Sequence, residues 1–132
     1  MRILIFNTKR RWGGITSWME KCTIGLEKHG HQVFLISSIH SSFTHNSQLK
    51  DKIIPINTGM DFNPLTIVKL IHFIKTNQIQ IIITNTTKEI SIAGIASKIC
   101  RIPNIRRVGL FNDLVYSKKV AFLVNNFVDH NI

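Results

Sequence analysis

The feature that most constrains this chain is a run of six residues, Ile79-Gln80-Ile81-Ile82-Ile83-Thr84, with three isoleucines in succession. A strand with one face in water alternates apolar and polar positions. An unbroken apolar strand must be covered on both faces, as strands are inside a parallel sheet. Residues 2–6 have the same character. A parallel pair needs a long crossover between its strands, normally a helix.

The segments between the apolar runs supply those helices. Ile15, Trp18, Met19, Cys22 and Leu26 fall at i, i+3, i+4, i+7 and i+11, with Glu20, Lys21, Glu27 and Lys28 on the other face. Gly30 stands where a C-terminal cap belongs. Residues 33–36 read as a second strand, and Ser37-Ser38 opens a polar stretch. A weaker strand over 52–56 ends near Pro55. Asn63-Pro64 supplies an N-cap and first helical residue for a helix to about residue 77, burying Ile67, Leu70, Ile71 and Ile74. After the strand at 79–84, a helix over 89–101 carries Ile92, Ala93, Ile95, Ala96 and Ile99, and Pro103 stops it. A strand is expected over 105–110, unusual in containing Arg106 and Arg107. Ser117 caps a last helix with Val120, Leu123, Val124 and Phe127 on one face, and 130–132 approaches a further strand. The fold class is therefore α/β, a doubly wound parallel sheet in a Rossmann-like three-layer domain covering residues 1–132.

Several chemistries lack their sequence signatures. There is no G-x-G-x-x-G, no G-x-x-x-x-G-K-[ST] and no G-x-S-x-G. The seven carboxylates, Glu20, Glu27, Asp51, Asp61, Glu89, Asp113 and Asp129, never come close enough for a D-x-D metal-diphosphate site. Six histidines never adopt H-x-x-x-H spacing, so no metal is expected. Cys22 and Cys100 lie on the expected helices and read as reduced, buried thiols of a cytosolic protein. No apolar run approaches the ~20 residues that span a bilayer.

Charge points toward anions. Seventeen Lys and Arg against seven Asp and Glu give a formal net charge of +10. Nucleotide phosphates and an acidic membrane surface fit that sign. Nucleic acid is not expected, because no basic patch is interleaved with aromatics and no binding motif is present. A solvated basic surface without a partner is the plain alternative.

In an open parallel sheet, ligands bind beyond the carboxyl ends of the strands. Those ends are polar here: Asn7 to Gly14 after the first strand, Ser37, Ser38 and His40 after the second, and Thr84 to Lys88 after the strongest. The fourth end runs from Gly109 into Asn112-Asp113. Gly13 and Gly14 precede a helix carrying Thr16 and Ser17 in its first turn. They serve either close backbone approach to a phosphate or sugar, or only a tight strand-to-helix turn. Lys9, Arg10 and Arg11 read as an anion-attracting loop or a solvated one, and Arg106 and Arg107 add to the same field. Trp12 is a wall for an acceptor sugar or a lid over the first helix.

The opening residues 2–7, then Arg11-Trp12-Gly13-Gly14, then a helix closing on Lys28-His29-Gly30-His31-Gln32-Val33 resemble the amino terminus of retaining GT-B glycosyltransferases of the group 1, family 4-like class. The resemblance extends over all 132 residues and is specific mainly at Trp12-Gly13-Gly14 and residues 28–33. It implies the amino-terminal, acceptor-side half of a GT-B fold, with a carboxy-terminal nucleotide-sugar-binding domain outside these residues. It implies transfer of a sugar from a nucleotide-diphosphate sugar to a glycan or lipid-linked acceptor. The donor is a substrate, and neither cofactor nor metal is needed. Gly13 and Gly14 would lie beside the donor phosphates, with Arg11, Trp12, Asn85, Thr86, Asn112 and Asp113 as further donor or acceptor contacts. Lys9, Arg10, Arg106 and Arg107 would meet an anion or the membrane. Many relatives place a histidine after the strand matching 105–110, and residues 106–113 here contain none. No catalytic residue is therefore assigned, and the isolated domain is expected to be inactive. The expected location is the cytoplasm, extended by the charge to peripheral attachment on an inner membrane face. The alternative is a non-catalytic membrane-docking or partner-binding subunit of a split transferase.

Overall fold

A computed structural model describes residues 1–114 and 117–132, apart from the side chains of Phe111 and Asn112. Six parallel strands form one sheet in the order β3-β2-β1-β4-β5-β6. They are β1 (Arg2–Asn7), β2 (Gln32–Ser38), β3 (Ile53–Ile56), β4 (Ile81–Thr84), β5 (Asn104–Arg106) and β6 (His130–Asn131). The helices are α1 (Gly14–Lys28), α2 (Ser42–Asn46), α3 (Pro64–Thr76), α4 (Thr87–Glu89), α5 (Ile95–Cys100) and α6 (Lys118–Phe127). A π-helical stretch, Ile90–Gly94, joins α4 to α5 without a break.

The central strand shows why the sheet is covered twice. Leu4 and Phe6 of β1 join Ile36, Ile82 and the inner faces of α3 and α5 in one core. Ile3 and Ile5 join Val33, Leu35, Ile83, Met19 and Phe43 in a second core on the opposite face. Leu4, Ile5 and Phe6 are wholly buried, and each such side chain contributes about 1.5–3 kcal/mol. A third, smaller cluster packs Leu123 and Val124 of α6 onto Ile90.

The caps lie where the sequence places them. Asn63 accepts a hydrogen bond from the Leu65 amide ahead of Pro64, and Ser117 accepts one from Val120. Gly30 adopts φ +82°, the left-handed turn expected after the first helix. Four expectations need correction. The helix placed over 89–101 begins at Thr87, because Thr86 and Glu89 close a capping box. The strand placed over 105–110 ends at Arg106, because the Asp113 carboxylate accepts from the Gly109 and Leu110 amides and turns the chain. The polar stretch after Ser38 contains α2, whose Phe43 is fully buried. Cys22 and Cys100 are half-buried rather than buried, and neither is in a disulfide. Burial raises both thiol pKa values, opposed by Arg107 at Cys22 and by Lys75 at Cys100.

Gly94 is where α6 approaches the π-helical stretch. A Cβ there would stand 2.8 Å from Phe127 Cβ and 3.2 Å from the Phe127 carbonyl. Gly25, inside α1, has nothing within 4 Å of an added Cβ. Gly94→Ala is therefore expected to destabilise the fold by about 1–3 kcal/mol through overpacking. Gly25→Ala should stabilise it by about 0.5–1 kcal/mol through helix propensity. Urea unfolding of both variants checks the opposite signs.

Candidate functional site

The strand order turns at β1, whose neighbours β2 and β4 lead outward in opposite directions. A crevice opens beyond such a switch point because the connections on its two sides run to different faces. A cavity of about 610 Å³ occupies that place. Lys9 and residues 11–16 form one wall, Asn85–Thr87 lie after β4, and Arg107, Gly109, Leu110 and Asp113 form the wall opposite.

The basic loop is pinned from below. Asn7 is fully buried, and its Nδ2 donates to Ser37 Oγ at 2.8 Å and Ser41 Oγ at 3.1 Å. Its Oδ1 accepts from the Lys9 amide at 3.1 Å. Ser41 Oγ donates to the Lys9 carbonyl at 2.5 Å, and the Ser42 amide donates to the Arg10 carbonyl at 2.8 Å. At the entry to α1, Thr16 Oγ1 accepts from the Gly13 amide and donates to the Gly13 carbonyl, both at 2.9 Å. The amides of Gly14, Ile15 and Thr16 are the first-turn donors that a helix cannot satisfy internally. All three residues line the cavity, and a Cβ added at Gly13 or Gly14 would meet nothing within 4 Å.

The two central loops meet on one carboxylate. Glu89 is fully buried, and its Oε1 accepts from the Thr8 amide at 2.9 Å and from Thr8 Oγ1 at 3.3 Å. Its Oε2 accepts from the amides of Asn85 at 2.6 Å and Thr86 at 3.1 Å, and from Asn85 Nδ2 at 3.4 Å. Desolvation raises the Glu89 pKa above its ordinary value. The Thr8, Asn85 and Thr86 amides and the Thr86 hydroxyl oppose that shift without cancelling it. In the sequence Glu89 is one of seven scattered acids. Its signal was the spacing Thr86-Thr87-Lys88-Glu89, a capping box.

Of the residues singled out from sequence, Lys9, Arg11, Trp12, Gly13 and Gly14 line the cavity together. Asn85, Thr86, Arg107 and Asp113 line it from the other side. Trp12 is 44% exposed, lines the cavity and packs its ring 6.1 Å from that of Phe43 in α2. Arg107 lies with its guanidinium 4.8 Å from the centre of the Trp18 ring, a cation-π contact. Asp113 has one oxygen committed to holding the Gly109–Leu110 turn. Arg106 corrects the expectation of an anion or membrane contact. It is 4% exposed, and its Nη2 donates to the Asp113 carbonyl at 2.9 Å, so it braces the wall from inside. Arg10 is exposed but outside the cavity. The side chain of Asn112 lies outside the described residues. Ser37, Ser38 and His40 do not line the cavity; Ser37 and Ser38 are buried under the loop. Ile15, Thr16, Thr87, Gly109 and Leu110 line it as well, although the sequence assigned none of them a ligand contact.

Three cations, Lys9, Arg11 and Arg107, thus face the cavity together with one carboxylate, Asp113, among the described residues. No helix among the described residues is long and apolar enough to cross a membrane.

The raised pKa of Glu89 has a measurable sign. Folding favours its protonated form, so its contribution to stability is full below the ordinary value of 4.5 and is lost as pH rises through the folded-state pKa. Unfolding free energies of the native chain and Glu89→Gln, measured from pH 3 upward by steps of about one unit, should diverge in that direction: the native chain loses stability relative to the variant above pH 4.5. A difference independent of pH would remove the shift.

Neither a protein-family model nor the sequence of a curated protein matches the chain. Solved structures do. Anabaena HepE in complex with UDP aligns with a TM-score of 0.76 at 16% identity over 99% of this chain and 37% of its own. An alpha-glucosyltransferase, solved with UDP-glucose and DNA containing an abasic site, aligns at 0.64 and 20% identity, over 98% of this chain and 34% of its own. A UDP-N-acetylglucosamine 2-epimerase from Listeria monocytogenes, itself described as putative, aligns at 0.64 and 13% identity, over 100% and 38%. The chain thus spans under two-fifths of the length of each of these three structures. What they share with it is the fold, and the chain has the Rossmann-like architecture of the amino-terminal half of a GT-B structure.

Proposed function

We propose that this chain is the acceptor-side domain of a glycosyltransferase that takes its sugar from a nucleotide-diphosphate sugar and passes it to a glycan or lipid-linked acceptor. The observation that carries the reading is the composition of one cavity at the switch point. It has a helix N-terminus with Gly13 and Gly14 at its mouth, the three cations Lys9, Arg11 and Arg107, and a neutral polar edge at Asn85–Thr87. First-turn amides and the helix dipole favour an anion, each such contact by about 0.3–1 kcal/mol at an exposed site. Fixed cations stabilise the charge that develops on a diphosphate as the sugar departs. HepE has been solved with UDP-glucose, and the alpha-glucosyltransferase likewise, which supports a nucleotide sugar as the ligand class.

The domain supplies binding and charge rather than a nucleophile. Among the described residues, Asp113 is the one carboxylate lining the cavity, and one of its oxygens holds a turn; Glu89 is fully buried behind the wall. A double displacement on this domain alone would lack its attacking group. The base and ribose contacts of the donor belong to a second domain in this reading.

The likeness to an epimerase raises a second reading, since the same fold carries both names. Inverting a carbon that bears hydrogen requires a base to take that proton. Among the described residues no histidine lines the cavity, and the positions after β4 that do, Asn85, Thr86 and Thr87, are neutral. Group transfer, which needs anion stabilisation more than proton abstraction, fits these residues better.

The test is an NMR titration of the chain with UDP-glucose and with inorganic pyrophosphate. Amide shifts should concentrate at residues 13–17 and 85–87. Gly14→Val should abolish them while circular dichroism stays native, because its side chain enters open cavity space. Shifts scattered elsewhere, or a folded Gly14→Val that binds normally, would overturn the proposed site.

A further inference from the structure

Asn85 lines the cavity while only 6% exposed, and its Oδ1 is buried with no hydrogen-bond partner. Buried polar side-chain atoms are nearly always bonded, so an orphaned acceptor beside a ligand-sized cavity asks for a donor. Its orientation is set from behind. Glu89 Oε2 accepts from the Asn85 amide at 2.6 Å and lies 3.4 Å from Asn85 Nδ2. Turning the side-chain amide over would set Oδ1 against that carboxylate oxygen, acceptor to acceptor. The carboxylate therefore keeps the amino group on its own side and the carbonyl oxygen on the other.

We infer that Asn85 Oδ1 is a sugar-hydroxyl acceptor that discriminates among substrates in this cavity, a contact that rests on the nucleotide-sugar reading above. The cavity then has two chemically distinct ends. Lys9, Arg11 and the first turn of α1 take an anion, whereas an acceptor-only oxygen at Asn85 repels one and takes a hydroxyl. A ligand that satisfies both carries a phosphate and a polyhydroxy ring. Because a site built to hydrogen-bond a hydroxyl rejects the analogue lacking it, Asn85 would separate sugars that differ at a single carbon.

The experiment titrates the chain by NMR with inorganic phosphate and with the 1-phosphates of glucose, galactose and mannose. The best of the three sugar phosphates should bind about tenfold tighter than inorganic phosphate, the worth of one hydrogen bond to a buried acceptor. Asn85→Ala should erase that preference and leave phosphate binding at residues 13–16 unchanged. A purely structural role for Asn85 would instead weaken both ligands together. Deoxy analogues of the best sugar phosphate, used on the unmutated chain, should show one hydroxyl whose removal costs the same tenfold, which needs no folded variant. Sugar phosphates no better than phosphate, or a preference that survives in Asn85→Ala, would overturn the contact and leave the anion site standing. Failure of phosphate itself to shift residues 13–16 would overturn the site reading and the contact with it.

Discussion

The two central loops of the crevice are arranged around one buried carboxylate. Glu89 receives amides from Thr8 at the end of β1 and from Asn85 and Thr86 at the end of β4. These are the two strands between which the sheet changes direction, and no main-chain ladder ties their loops together once the strands have ended. A buried charge is costly unless it is fully hydrogen-bonded, so the carboxylate and the loop amides constrain each other. The capping box at Thr86 starts α4 at the same point. The π-helical stretch follows Glu89 directly, and Ile90 carries the α6 contact. One side chain thereby links the rim, a helix start and the packing of the last helix.

The second constraint is that the basic loop is held by neutral groups. Asn7, Ser41 and Ser42 fix the backbone of Lys9 and Arg10 without using a carboxylate. The ion pairs of the described residues lie elsewhere, Lys52 with Glu27 and Lys119 with Asp61. Lys9 and Arg11 keep their charge available, whereas Arg106 turns inward and is spent on the Asp113 carbonyl. The net charge of +10 is therefore not one patch, and only part of it reaches the site.

Much of this was legible from the chain. Unbroken apolar strands announced a doubly covered parallel sheet, and the polar residues after β1 and β4 announced the rim, because strand ends and ligand position are linked by topology. What was not legible depended on partners far away in sequence. The strand over 105–110 was read too long because Val108 and Leu110 look like strand residues, while the turn is made by Asp113 binding back to Gly109 and Leu110. Arg106 is expected at an anion or the membrane from its charge, yet it is buried and its Nη2 donates to a carbonyl seven residues on. Phe43 sits in a polar stretch with no periodicity to expose it, and only the fold shows Trp12 covering it. The pairing of Glu89 with Thr8 spans 81 residues, and no local pattern announces it.

The pinned loop also bears on how the cavity would bind. A flexible, glycine-bearing basic loop would have to be ordered by its ligand, and that entropy would be subtracted from affinity. Here the ordering is done on folding. Asn7 and Ser41 hold Lys9, Ser42 holds Arg10, and Thr16 closes Gly13 in two hydrogen bonds. On the other side, Glu89 holds Thr8, Asn85 and Thr86. Both edges of the cavity are thus fixed before anything enters it, and donors whose positions are already set need no reorganisation when charge develops on a bound group. Glycine at positions 13 and 14 is then useful for what it omits. Neither position lies in the left-handed region, and the space where a Cβ would stand is empty. The glycines keep the amides uncovered, while the neighbouring side chains supply the rigidity that glycine lacks.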